Sequence, residues 1–298
     1  MTDIEYGLLL LTSHLGNPNR KPLTVPQFRR LSQRVRSCAR QYESRDLTTS
    51  DLIALGYGRD DAERIVSLMD DQALLEHYLE RGSAMGCYPL TRISPQYPQL
   101  LRQRLGDDAP PCLWYKGEVS ILSASGVGLV GSRLLAPENR YFAEEGGTQA
   151  ARQGLNLISG NAKGSDSTAQ DSCIQHGGSV ISVIADTLSE KTVRDSTLYL
   201  CEDSYDLSFT AFRALSRNRV IHALGECTLV AQCELGTGGT WDGSVKNLRN
   251  SWSPLYCFND GSASAMALQD RGAVLIDVEA LQDFSLLCLP QISLFTAP

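Results

Sequence analysis

The sequence predicts an α/β protein, a doubly wound and mostly parallel Rossmann-like sheet preceded by a small all-helical N-terminal domain. Three observations predict it. From residue 126 onward, apolar runs of four to seven residues alternate with helix-length segments, as in a parallel sheet covered on both faces. Before residue 90 the apolar residues recur at spacings of three and four, the helical period. Glycine-bearing turns follow several of the apolar runs, where right-handed crossovers would return the chain to the sheet.

In the N-terminal part, Val25, Phe28, Leu31, Val35 and Cys38 form one apolar helical stripe. Thr48-Thr49-Ser50-Asp51 supplies cap-type residues for the next helix. Leu52–Val66 reads as two helices joined by Gly56-Tyr57-Gly58, a hairpin of the helix-hairpin-helix kind. Residues 1–90 therefore read as a helical domain, SAM-like or helix-hairpin-helix-like. Residues 91–120 read as a connector punctuated by Pro98, Pro110 and Pro111, ending in a short strand at Leu113–Gly117. Residues 121–298 read as the Rossmann-like domain. Its strands are expected at 126–130, 155–158, 179–185, near 197–201, and at 228–233, 255–258 and 273–278. Its helices are expected at 138–153, 165–176, 209–225, 240–250 and 263–271.

Composition bounds the function. A chain of 298 residues accommodates about two domains at roughly 150 residues each. The longest apolar runs, Leu8–Leu11 and Val180–Ala185, fall far short of the roughly 20 residues that cross a bilayer. The start, MTDIEYG, lacks the basic region of a signal peptide, so the expected location is cytoplasmic, with no membrane partner. Nine cysteines without a CxxC, and four scattered histidines, point to small buried thiols in a reducing compartment and to no metal site. The net charge is −7, so nucleic-acid binding would require a local basic patch. One basic segment runs from His14 to Tyr42, with Arg20, Lys21, Arg29, Arg30, Arg34, Arg36 and Arg40 and no acid. It reads either as a solvated helix face or as a nucleic-acid or partner surface.

In a doubly wound sheet, ligands gather at the carboxyl ends of the strands. Four turns there carry unusual residues: Gly131-Ser132-Arg133; Ser159-Gly160 through Lys163-Gly164; Arg217-Asn218-Arg219; and Thr237-Gly238-Gly239. Glycines alone would serve tight turns. Together with Arg133, Lys163, Arg217 and Arg219, the four turns read as a mouth for phosphate, with cations and helix N-termini aimed the same way. No GxGxxG follows the first strand, and no GxxxxGK[ST] or GxSxG is present, so neither a dinucleotide cofactor nor a P-loop nor a serine elbow is indicated. No nucleophile–base set is visible, and the site is expected to bind and not to catalyse. Asp166 reads as a loop organiser or helix N-terminal residue.

The motif series resembles the DNA-processing protein A (DprA/Smf) family. It runs from Tyr97-Pro98 through Leu113-Trp-Tyr-Lys-Gly117, Val127-Gly-Leu-Val-Gly-Ser-Arg133, Leu157-Ile-Ser-Gly160 and Lys163-Gly164-Ser165-Asp166 to Arg217-Asn-Arg-Val-Ile221. The family's Ala-His pair is Ala169-Gln170 here, and Thr237-Gly-Gly-Thr240 stands where the family has Ser-Gly-Ser-Leu. The chain ends at Pro298 without the C-terminal winged-helix domain of some members. The resemblance implies a homodimeric single-stranded-DNA binder that helps load the RecA recombinase, as in natural transformation. It also implies that Ser132, Arg133, Ser159, Gly160, Lys163, Arg217 and Arg219 line the DNA pocket. Two other readings of the same superfamily remain: a nucleotide-sensing module in immunity or regulation, and a phosphoribohydrolase. For the latter, Trp241 and Asp242 follow Gly238-Gly239-Thr240, with no glutamate at the expected place.

Overall fold

Reciprocal caps start the N-terminal helices. In the computed structural model, which describes residues 1–38 and 47–288, α1 (Asp3–Thr12) begins at Thr2, whose hydroxyl accepts from the Glu5 amide while Glu5 reaches back. The same box starts α2 (Val25–Ser37) at Thr24 with Gln27, and α3 (Thr49–Ala54) at Thr48 with Asp51. α4 (Arg59–Met69) and α5 (Gln72–Ala84) complete the helical part. Leu8, Leu11, Phe28, Leu31, Leu52 and Ile65 bury the facing stripes together.

Part of the basic segment is spent on contacts within the chain. Arg29 pairs with Asp108 at 2.6 Å and Arg36 with Asp107 at 3.3 Å, tying α2 to the turn Gly106–Asp108. Arg34 donates to the Gly56 carbonyl and lies 4.5 Å over the Tyr57 ring. Arg20 is buried, donating to the carbonyls of Leu10 and Leu68 and to Asp71. Arg40 lies outside the described residues. Most of this charge therefore docks the helices to their surroundings.

The rest is one nine-stranded sheet. β1 (Tyr88–Thr91), α6 (Gln99–Leu105) and β2 (Cys112–Lys116) lead into β3 (Gly126–Val130), α7 (Pro137–Arg152), β4 (Asn156–Ser159), α8 (Ser165–Gln175) and β5 (Val180–Ile184). They are followed by β6 (Thr197–Glu202), α9 (Ala211–Leu224), β7 (Thr228–Val230), α10 (Gly238–Asn250), β8 (Leu255–Phe258), α11 (Ala263–Gln269), β9 (Val274–Ile276) and α12 (Phe284–Leu287). The order is β1-β2-β6-β5-β4-β3-β7-β8-β9. β2 runs antiparallel to both neighbours, and every other pairing is parallel. The expected α/β architecture, mostly parallel with leading helices, is therefore present. The antiparallel edge strand β1 and the helix α6 lie in stretches read as helical domain and connector.

α7 and α8 cover one face through Phe142, Ala143, Ala169 and Cys173, joined there by Phe284 of α12. α6, α9, α10 and α11 cover the other face, with Leu101, Val220, Ile221 and Leu268 in its core. A stacked aromatic group joins the helical part to the antiparallel edge: Tyr78 lies 4.3 Å from Tyr205, and Trp114 lies 5.0 Å from Tyr205. Seven of the nine cysteines are buried. Near the end of the described residues, Leu287 packs in the sheet core. Among the described residues, no helix is long and apolar enough to cross a membrane.

β3 is the switch point. From it the chain winds to β4, β5 and β6 on one side, and α9 then carries it back to β7 on the other. The crevice between β3 and β7, with the carboxyl end of β4 beside it, is where this topology opens a ligand site.

Candidate nucleic-acid interface

The turn after β3 is held from two sides. Ser132 donates its amide to the Gln232 carbonyl at 2.9 Å, which ties the turn to the segment after β7. The Ser165 amide and hydroxyl both donate to the Ser132 carbonyl, at 3.1 and 3.2 Å, which ties it to the start of α8. Gly131 and Ser132 are half-buried, whereas Arg133 projects into solvent.

Gly164 makes this close approach possible. Its φ is +86°, and a Cβ there would lie 2.4 Å from the carbonyl oxygens of both Ser132 and Arg133. No L-side chain fits that space or favours that backbone. The turns after β3 and β4 thus meet at the N-terminus of α8, whose dipole favours an anion, although the amides of Ser165 and Ser167 already donate to the carbonyls of Ser132 and Ala162. Lys163 stands exposed immediately before it.

Asp166 shapes the second turn. One carboxylate oxygen accepts from the amides of Gly160 and Ala162, each at 3.1 Å. Burial raises its pKa, opposed by Arg217, by those two amides and by Arg133. The residue therefore organises the loop, as its position in the sequence suggests, and anchors a cation beside it.

That cation is Arg217. Its side chain is buried, and its Nε has no hydrogen-bond partner among the described residues. Burial lowers its pKa, and the carboxylates of Asp166, Asp186 and Glu202 oppose that. A guanidinium stays protonated in such a setting. Arg133 and Lys163 form no ion pair among the described residues. Arg133, Lys163 and Arg217 therefore gather around the strand ends with donors not taken up by carboxylate hydrogen bonds.

The other candidates are placed differently. Ser159 is buried, and its hydroxyl accepts from the Gln170 amide at 2.5 Å. Arg219 clamps Glu202 with both terminal nitrogens, at 2.8 and 2.6 Å. Burial opposes the Arg219 charge, yet Glu202 holds its pKa above the usual value. Asn218 donates to the Gly239 carbonyl at 2.9 Å, joining α9 to the first turn of α10. Thr237 and Gly238 are exposed at that helix start, with Gly239 half-buried behind them. Glu202 was not singled out from the sequence, and Gln170 entered there only as a departure from the family's Ala-His pair. Their partners stand 17 and 11 residues away.

A family model described as DNA recombination-mediator protein A matches residues 89–245, more than half of the chain. The chain belongs to that family. Among curated proteins, it is 31% identical over 141 residues to the DNA processing protein DprA of Streptococcus pneumoniae, covering 44% of this chain and 50% of that one. It is 25% identical over 161 residues to protein Smf of Synechocystis, covering 53% of this chain and 39% of that one. The chain thus matches half or less of the length of these curated relatives. The structure of DprA from S. pneumoniae superposes with a TM-score of 0.68 at 21% identity, over 94% of this chain and 97% of that one. The DprA of Helicobacter pylori, whose structure describes a single-stranded DNA binding mode of that protein, superposes with a TM-score of 0.57 at 20% identity. It covers 67% of this chain and 96% of that one. At these identities the superpositions establish a shared fold.

Proposed function

We propose that the chain binds single-stranded DNA at the carboxyl ends of β3, β4 and β7 and acts as a recombination mediator. In this reading it protects the strand and helps to load a RecA-type recombinase, in the cytoplasm and as a homodimer, as in natural transformation. Arg133, Lys163 and Arg217 contact phosphates, and the positive end of the α8 dipole adds to their field. The turn at Thr237-Gly238-Gly239 borders the same crevice. Contacts of this kind read charge and not base sequence, which suits a general strand binder.

One observation carries the proposal. A buried arginine with an unpartnered Nε sits at the switch point, beside two exposed cations, in a chain belonging to a recombination-mediator family. A buried donor without a partner is costly, and an arriving phosphate would remove that cost. The site's chemistry is that of holding an anion; its buried carboxylate, Asp166, already accepts two amides.

The net charge of −7 favours a second occupant, a small nucleotide, because a long polyanion meets repulsion from the remaining surface. Competition separates the two. Labelled oligo-dT bound to the protein is challenged with unlabelled oligo-dT, with duplex, and with nucleoside mono- and triphosphates. Displacement by single strand alone supports the mediator. Its loading role then predicts faster recombinase assembly on strands coated with single-strand-binding protein. Failure to bind oligo-dT, with capture of a mononucleotide, replaces the reading by nucleotide sensing.

A further inference from the structure

The start of α9 carries large apolar side chains in full view of solvent. Phe212 is 80% exposed and Phe209 54%, with Leu215 at 41% one turn further along the helix. Their place relative to the cations is well defined. Arg213, immediately after Phe212, donates to the carbonyls of Ala185, Leu207 and Ser208 at 2.8–2.9 Å. This pins the segment over the carboxyl end of β5. Leu215 faces the turn after β7: its Cδ2 lies 3.6 Å from where a Gly239 Cβ would be. Phe212, three residues earlier, shares that face of the helix one turn nearer the strand ends. Arg217 follows five residues later, about 7.5 Å along the axis, against Gly160.

We propose that Phe209 and Phe212, backed by Leu215, form a platform on which the bases of a strand stack while its phosphates occupy the cationic mouth. The inference rests on the strand-binding reading and extends it to the bases. Position selects the occupant: the rings stand on the segment that leads into Arg217, whose Nε has no partner among the described residues, while Arg213 is held by carbonyls and Arg219 by Glu202. A single strand offers this combination of flat apolar faces and regularly spaced anions. A duplex hides its base faces, so the platform also gives the site a preference for single strands without any reading of sequence. Glu234, at the far side beside Leu235, sets a negative limit to the surface.

The test compares two strands of equal length, oligo-dT and an abasic oligomer with the same phosphates, against wild type, Phe212→Ala and Phe209→Ala. Both side chains are exposed, and thermal melts confirm that the variants fold. Wild type is expected to bind oligo-dT about tenfold more tightly than the abasic strand, the size of one base–aromatic stack. In Phe212→Ala the ratio falls toward one. Tight and equal binding of both strands by wild type overturns the platform while leaving strand binding intact. Binding of neither strand overturns both. An unchanged ratio in both variants, with a change in oligomeric state by sedimentation, overturns the platform and assigns the ridge to a contact between copies of the chain.

Discussion

The guanidinium of Arg217 lies across the backbone of Gly160, so close that a Cβ at residue 160 would fall 1.7 Å from Nη1. The two residues come from different parts of the fold, the turn just after β4 and the second turn of α9. Their contact lets a buried arginine sit level with the exposed Arg133 and Lys163. Gly160 also donates its amide to Asp166, the carboxylate nearest in role to Arg217. Glycine at 160 therefore serves both the loop and the cation.

Gly160→Ala is expected to push the guanidinium aside and weaken oligo-dT binding by about tenfold or more, the loss of one charged hydrogen bond at 1.5–3 kcal/mol. The fold should persist, since the displaced atoms are the end of a flexible side chain. Anisotropy titration beside a thermal melt checks this. Wild-type affinity in the variant would detach Arg217 from binding.

The Arg219–Glu202 clamp is nearly enclosed, with side chains 15% and 10% exposed. Glu202→Gln leaves the Arg219 charge without its counterpart. Breaking such a pair from one side costs about 3 kcal/mol. Urea unfolding should show the midpoint falling at unchanged slope. A stability within 0.5 kcal/mol of wild type, roughly the range of neutral surface changes, would mean the clamp carries little.

His222, buried in α9 with Nδ1 unpartnered, has its pKa pushed down to about 3 by burial. Because the folded pKa is depressed, the unfolded chain takes up the proton first as pH falls. Stability is therefore complete above about pH 6.5 and declines progressively toward pH 3. The loss at pH 5 is about 2 kcal/mol, from 1.5 pH units at 1.36 kcal/mol each. His222→Leu should flatten this acid slope in melts between pH 7 and pH 4.5. An unchanged slope would place the acid sensitivity elsewhere.

Much of the fold was legible because buried parallel strands announce themselves. Gly126–Val130 and Leu255–Phe258 are continuous apolar runs, and the structure gives them those bounds. β1 was hidden because Tyr88–Thr91 is short, contains Pro89 and lies at the sheet edge, where pairing and not hydrophobicity makes it a strand. α6 was hidden behind Pro98, which starts it, within a proline-marked stretch. At the candidate site, glycines beside cations marked where an anion could sit. What the sequence did not show was which polar groups already have partners. Ser159 turns to Gln170 and Arg219 to Glu202, pairings set by crossovers 11 and 17 residues long and invisible to local spacing. The basic stripe of α2 was legible as charge, but its partners Asp107 and Asp108 lie more than 70 residues away.

The salt dependence of oligo-dT binding tests the central claim most directly. Each phosphate contact on a single strand contributes a slope of about −0.7 to log affinity against log salt concentration. Contacts from Arg133, Lys163 and Arg217 predict about −2 for wild type, and about −1.4 for either Arg133→Ala or Lys163→Ala, with weaker binding throughout. Affinity that does not vary with salt, or an identical slope in wild type and both variants, would contradict a phosphate mouth at these strand ends.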